Sequence, residues 1–298
     1  MYTPTVLAHI MPPLCPTPAP IFGVTTEMLT NDCQREVLAF LARRPIHTVT
    51  MAGFIKDNGL ESPRNRGAFY GCRNRSGELE GVALIGHATL LETTTDRALE
   101  AFARIAKTKK GSHMIMGEQH RIEEFWHYYR SGGQQLRRAC REHLYELRWP
   151  VAVKETVSGL RLATMEDLDL IVPVHARMAF EESGVNPLQV DAEGFRRRCA
   201  NRIEKGRTWV WIENDRLIFK ADVVSETSET FYLEGIWMSE EQRGGGLAAR
   251  CMSQLARTLL ARTESICVLV NEQNPAAISF YQRAGYKLRS VYDTIFLS

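Results

Sequence analysis

The stretch "EEQRGGGLAAR", Glu240 to Arg250, sets three consecutive glycines behind an arginine and directly before an amphipathic run. In "LAARCMSQLARTLLAR", Leu247, Cys251, Leu255 and Leu259 form one stripe, and Ala248, Met252, Ala256 and Leu260 form the adjacent one. That spacing predicts a helix packed on a sheet. Upstream, "TFYLEGIWM" reads as a strand ending at Met238. The glycines therefore fall between strand and helix start, where unpaired N–H groups and the helix dipole attract anions. Glycine lets the backbone approach a phosphate without a Cβ in the way, and Arg243 adds a permanent forked cation. A ligand-free glycine loop is the bland alternative.

Three phosphate-loop readings compete. G-x-x-x-x-G-K-[ST] is absent. Gly244-x-Gly246-x-x-Ala249 satisfies a dinucleotide fingerprint, and Glu272 follows the strand "ICVLV". Too little chain remains after Glu272 for that fold, however, and "SEEQ" interrupts the strand-to-glycine junction. A Rossmann-type oxidoreductase is thus a distant rival. The third register is R-x-x-G-x-A, met by Arg243, Gly246 and Ala248. It gains weight from "VLVNEQNPAAISFYQRAGYKL", Val268 to Leu288. Here Asn274 reads as a helix cap, Pro275 as the first helical residue and Gly285 as the stop, which projects Tyr281 from one face.

Together these stretches resemble the GNAT acyltransferase superfamily, whose two signatures are a [QR]-x-x-G-x-[GA] loop and a strand–Asn–N-x-x-A-x-x-x-Y-x-x-x-G-[FY] helix. The resemblance covers about Gly159 to Ser298. Over its whole length the chain resembles a bacterial subgroup with a GNAT-like lobe ahead of the active one. The implied fold class is mixed α/β, two GNAT-like lobes, each a mostly antiparallel sheet flanked by helices. It divides the chain into a proline-rich arm over 1–24, a degenerate GNAT-like domain over 25–150 and a catalytic GNAT domain over 157–298. The N-terminal half carries neither signature. The two lobes are expected to pack as the subunits of a GNAT dimer do, in a pseudo-dimeric monomer or a homodimer.

The resemblance implies acetyl-CoA as co-substrate. Its pantetheine would lie along Ile236, Trp237 and Met238. Its pyrophosphate would lie on Arg243, Gly244, Gly245, Gly246, Leu247 and Ala248, with Asn271, Asn274 and Tyr281 completing the site. Asn271, at a strand end, is taken as free to bond pantetheine. Acetyl transfer to an amine needs a base for the ammonium, donors for the carbonyl and an acid for the thiolate. Strand alternation places Tyr232, Glu234, Ile236 and Met238 on one face. Glu234 is the candidate base, with a structural ion pair as its alternative role. Tyr281 is the candidate acid, with simple packing as its alternative. The backbone N–H groups of 236–238 are the implied oxyanion donors. Glu181 and Glu182, in "AFEESGVNP", are candidate contacts for a cationic acceptor, or else a solvated helix end. Two rival functions remain open: a non-catalytic acyl-CoA-binding regulator, and a transferase for a longer acyl chain.

Composition narrows the rest. Among 298 residues, 44% are hydrophobic and 24% charged, with net charge +2. These values point to a globular chain with no nucleic-acid or membrane partner. "MYTPTVLAHIMPPLCPTPAP" carries six prolines in twenty residues and lacks the plan of a signal peptide. Seven scattered cysteines without C-x-x-C, and eight histidines without H-E-x-x-H, suggest free thiols, a cytoplasmic setting and no metal. The run Arg196–Arg198 reads as a solvated helix face. In the N-terminal half, "NDCQREVLAFLARR" predicts a helix, "IHTVTM" a β-branched strand and "GAFYGCRNRSGELEGVALIG" a hairpin. "RWPVAVKETVSG" reads as the linker between halves.

Overall fold

The computed structural model describes residues 23–150, 152 and 155–298; the arm up to residue 22 lies outside them. The N-terminal half runs β1 (Val24–Met28), α1 (Gln34–Leu41), α2 (Pro45–Asn58), β2 (Gly67–Asn74), β3 (Leu79–Gly86), β4 (Ala88–Thr93), α3 (Asp96–Lys107), β5 (Met114–Glu118), α4 (Gln119–Tyr129) and β6 (Leu136–Leu147). The C-terminal half runs β7 (Leu160–Leu162), α5 (Leu168–Ser183), α6 (Pro187–Val190), α7 (Ala192–Glu204), β8 (Thr208–Glu213), β9 (Arg216–Glu226), β10 (Thr230–Met238), α8 (Leu247–Leu260), β11 (Ser265–Asn271), α9 (Pro275–Arg283) and β12 (Lys287–Leu297).

The twelve strands among the described residues form one sheet, in the order β1-β2-β3-β4-β5-β12-β6-β11-β10-β9-β8-β7. The centre of that order is an exchange. β12, from the C-terminal half, lies antiparallel between β5 and β6, and β6, from the N-terminal half, lies antiparallel between β12 and β11. Each half thus donates its last strand to the other's sheet. Elsewhere the sheet is antiparallel, apart from the parallel pairs β4–β5 and β10–β11.

Several elements form where the local signals place them. Thr95 caps α3 by accepting from the Ala98 N–H (3.3 Å). Thr164 and Asp167 form a capping box ahead of α5. Asn274 accepts from the Ala277 N–H at 3.0 Å, with Pro275 at the first position of α9. "IHTVTM", expected as a strand, is helix α2 instead. Pro45 starts it, and the Thr48 hydroxyl bonds back to the Arg44 and Leu41 carbonyls. Its β-branched residues are overridden by packing on two sides. Met51, Ala52 and Ile55 enter the N-terminal core, while Val49 meets Leu144, Tyr232, Cys267 and Tyr292. Buried all round, the helix shows no polar face to betray its period. Gly53 lies against β9, where an added Cβ would sit 2.6 Å from the Ser225 Cβ.

Strand β6 has no counterpart in the sequence reading. Its first third, Leu136–Ala139, is exposed and its last four residues are buried, so no alternation runs its length. Neither Asn31 nor Asp32 caps the first helix. Thr30 precedes a 3-10 turn there, and the Asn31 side chain instead accepts from the Leu60 N–H. No helix among the described residues is long and apolar enough to cross a membrane.

Candidate active site

The site is a gap in the sheet. β10 pairs with β11 only from Thr230 to Leu233, opposite Ser265 to Val268. Beyond Leu233 the two strands part. β11 continues along β6 through Leu269, Val270 and Asn271, while β10 stays with β9. In the same place β10 bulges: Glu234 opposes Asp222, but the next paired residue, Trp237, opposes Lys220. Gly235 holds the bulge at φ +60°.

The bulge changes which side each residue faces. Phe231 and Leu233 pack in the core beneath α8 and α9, and Tyr232 packs on the opposite face. After the bulge Ile236 and Met238 join the α8 core, while Trp237 turns toward α5 and α7. The single face expected for Tyr232, Glu234, Ile236 and Met238 is therefore corrected. An extra residue in the ladder inverts the alternation.

A buried charge cluster backs the bulge. Lys220 is fully buried; its ammonium donates to Asp222, to the Gly235 carbonyl (3.2 Å) and toward His175 Nδ1 (3.3 Å). Arg202 Nη1 and the Thr208 hydroxyl also donate to Asp222, at 2.9 and 2.8 Å. Burial alone would raise the Asp222 pKa, but the Lys220 and Arg202 charges hold it well below the usual carboxylate range. Burial, reinforced by the Lys220 and Arg202 charges, pushes the His175 imidazole down to about 3, so it is neutral. Sequence reading missed this cluster because its members lie on α5, α7, β8 and β9.

Below the gap, Gly244, Gly245 and Gly246 are exposed, and an added Cβ on any of them would meet nothing within 4 Å. Gly246 sits in the left-handed region at φ +76° as the N-cap of α8, with no side chain capping the helix. Arg243 Nε donates to the Met238 carbonyl (3.2 Å), which ties the loop to the end of β10 and leaves the rest of the guanidinium exposed. Leu247 and Ala248 open the helix and pack on the α8 core. The N–H groups at the start of α8 thus face solvent beside an arginine, in a loop without Cβ atoms, a shape suited to an anion.

Tyr281 is buried on the α8–α9 side among Tyr145, Phe280 and Tyr286. Burial pushes its phenol well above the ordinary value, so it stays protonated. Asn271 is not free as expected: its Oδ1 accepts from the Gln273 N–H at 2.8 Å, which shapes the turn into α9. Asn274 is likewise engaged, as the α9 cap.

On the other face the carboxylates gather. Glu234 lies at the gap, solvent-reachable yet surrounded by protein; that burial, opposed by Arg202 and reinforced by Asp222, leaves its pKa raised. Glu182, at the end of α5, has an exposed outer edge. Burial on its inner side, then the charges of Glu234 and Glu142, push it up to about 8. Glu181 does not join them; its carboxylate lies 3.9 Å from Arg177, whose guanidinium sits over the Trp237 ring. Glu142 of β6 is the residue that sequence reading missed.

Residues 176–286 match the model of the "Acetyltransferase (GNAT) family". No curated protein matches the chain in sequence. A GNAT-family acetyltransferase from Colwellia psychrerythraea is similar in structure at 12% identity, over 93% of this chain and 100% of its own, with a TM-score of 0.59. A Drosophila protein aligns over 92% and 98% at 12% identity and a TM-score of 0.65. A tandem GNAT protein from the clavulanic acid biosynthesis pathway aligns over 92% and 98% at 13% identity and a TM-score of 0.57. At such identities the likeness is one of fold. The chain thus carries a domain of the acetyltransferase (GNAT) family, built into a two-lobed fold shared with a tandem GNAT protein.

Proposed function

We propose that the chain is an acetyl-CoA-dependent N-acetyltransferase that acts on a primary amine in a ternary complex, with one working lobe. The observation that carries this reading is the gap after Leu233, with an uncapped, glycine-cradled helix start on one side and a raised-pKa carboxylate on the other. Residues 243–248 would hold the pyrophosphate. Residues 236–238 would hold the pantetheine. Acetyl-CoA supplies an acyl group activated as a thioester.

The chain's own groups then divide the work. Glu234 takes the proton from the attacking ammonium; a raised pKa makes it a better-matched base than an ordinary carboxylate. Peptide groups of 236–238 that turn away from β9 stabilise the carbonyl oxygen as charge develops. The N–C bond forms, the C–S bond breaks, Tyr281 gives its proton to the departing sulfur, and the second proton shed by the nitrogen returns to the phenolate through solvent. Gly235 keeps the bulge open and, through Lys220, ties it to a rigid buried cluster. Such fixed positioning is where much of a transferase's rate comes from.

The corresponding crevice of the N-terminal half is lined by charged side chains already paired with one another. β4 and β5 pair in parallel over Ala88–Leu90 and Met114–Met116. Beyond them Arg44 bridges Glu92 (3.1 Å) and Glu118 (2.7 Å), and His47 bonds the Tyr292 hydroxyl (2.9 Å). Thr95 and Asp96 stand where the other half has glycines, and Thr95 caps α3 itself. This favours a single acetyl-CoA site per chain, in what we propose is a cytoplasmic, pseudo-dimeric enzyme.

The test is a thiol-release assay with the full chain, acetyl-CoA and a broad panel of primary amines. Amine-dependent release is expected. Acetyl-CoA binding without release across the panel would leave a non-catalytic acyl-CoA binder. Release only from longer acyl-CoAs would change the donor.

A further inference from the structure

β6 does more than complete a sheet. Glu142 lies on it between Asn271 of β11 and Tyr292 of β12, on the face shared with Leu144 and Tyr232. That brings a carboxylate from the N-terminal half to Glu234 of β10 and Glu182 of α5. The three are close enough that Glu234 raises both partners' pKa values, and Glu142 raises Glu182's. Glu142 itself accepts from the Thr294 hydroxyl at 2.7 Å. None of the three has an ion-pair partner among the described residues. Arg202 and Lys220, the nearest cations behind Glu234, are committed to Asp222.

Tyr232 gives the second sign of a ligand. It is 8% exposed, and its hydroxyl has no hydrogen-bond partner among the described residues. Burial drives that phenol's pKa well up, and the charges of Glu234, Glu142 and Glu182 add to it; the strand register puts Tyr232 on the same face of the sheet as Glu142. Left without a protein partner, that hydroxyl is available to an incoming ligand. Among the described residues no three such groups stand close enough to hold a metal ion. An organic cation is the complementary occupant.

One amine cannot satisfy this pocket during catalysis, because the attacking nitrogen must be neutral when it reacts. A second ammonium elsewhere on the acceptor would remain charged and pair with the remaining carboxylates. On the transferase reading above, we infer that Glu142, carried across by the exchanged strand, is a specificity-determining residue that selects acceptors bearing a second cationic centre, such as aliphatic diamines. Tyr232 would contribute a neutral contact to the same chain.

The experiment uses the full chain with CoA present. 1,4-Diaminobutane and butylamine are titrated calorimetrically into wild type, Glu142→Gln and Glu182→Gln, and thiol release is measured with both amines. The wild type is expected to bind the diamine at least ~10-fold more tightly, the scale of one charge-assisted contact. Each variant should bring that ratio below about threefold, with the loss in KM for the diamine rather than in kcat. Glu182→Gln, at an exposed helix end, keeps the test sound if Glu142→Gln folds poorly. Equal affinities in wild type, or a ratio unchanged in both variants, would overturn the inference. A diamine preference without thiol release sustains the pocket and defeats the transferase reading. Release with no preference does the reverse.

Discussion

Replacing Gly235 by alanine tests the bulge on which the site depends. Two costs follow from the structure. The residue is held at φ +60°, where a Cβ costs about 1–2 kcal/mol. The new methyl would also stand 2.8 Å from Lys220 Nζ and 2.9 Å from Asp222 Oδ2. A lysine tip usually swings aside at little cost, but this one is fully buried and bound to Asp222 and the Gly235 carbonyl. Moving it weakens a buried pair whose outright loss costs about 3–5 kcal/mol, so a partial loss of 1–2 is reasonable. The expected destabilisation is roughly 2–4 kcal/mol. With an unfolding entropy of about 2.1 cal/mol/K per residue, that lowers Tm by roughly 3–6 °C. Thermal unfolding followed by far-UV circular dichroism reads it. Gly245→Ala is the control, since its Cβ meets nothing and its φ is not positive; it should stay within about 0.5 kcal/mol of wild type. A Gly235→Ala protein as stable as that control would refute the account of the bulge.

Other outcomes are equally specific. Tyr281→Phe keeps the packing against Tyr145 and Tyr286 but removes the acid, so turnover should fall ~10²-fold while acetyl-CoA affinity changes less than threefold; unchanged kcat would remove that role. Gly246→Val places a branched side chain at φ +76° in the cradle and should weaken acetyl-CoA binding by at least ~10-fold in a calorimetric titration. Unaltered affinity would argue against residues 243–248 as the pyrophosphate site. The His175 pKa is depressed from 6.5 to about 3, so the unfolded chain binds the extra proton first as pH falls. The stability this contributes is present above pH 6.5 and is lost as pH falls toward 3, by roughly 2–3 kcal/mol at pH 4.5. Urea denaturation at several pH values should show that loss in wild type and a flatter curve for His175→Gln; parallel curves would place the cause elsewhere.

What the sequence disclosed was local. The glycine loop, the Asn274–Pro275 helix start and the stripes of α8 each lie within about twenty consecutive residues, and each announces its conformation through backbone rules. Helix α2 was misjudged because it is buried on two sides, which erases the period that usually marks a helix. β6 was passed over for a related reason: its burial runs in blocks rather than alternating, and its ladder partners lie more than a hundred residues away. The third carboxylate went unseen with it. The bulge turned the expected face of β10 over because one inserted residue defeats simple alternation, and Gly235 gave the only hint of it. Glu182 and Glu181 were indistinguishable in sequence; a single step along α5 separates an electrostatic partner of the gap from a companion of Arg177.

The strand exchange also sets a timetable for biosynthesis. As the N-terminal half leaves the ribosome, its sheet has a vacancy beside β5 that only residues 287–297 can fill. Until those residues emerge, β5 and β6 each lack their ladder partner, and the nascent chain carries open edges that a neighbouring polypeptide could occupy. The two halves therefore cannot mature one after the other as beads on a string; closure is a single late event. Separately expressed halves should be poor folders alone and should meet, if at all, by trading their last strands, the same step a single chain completes within itself.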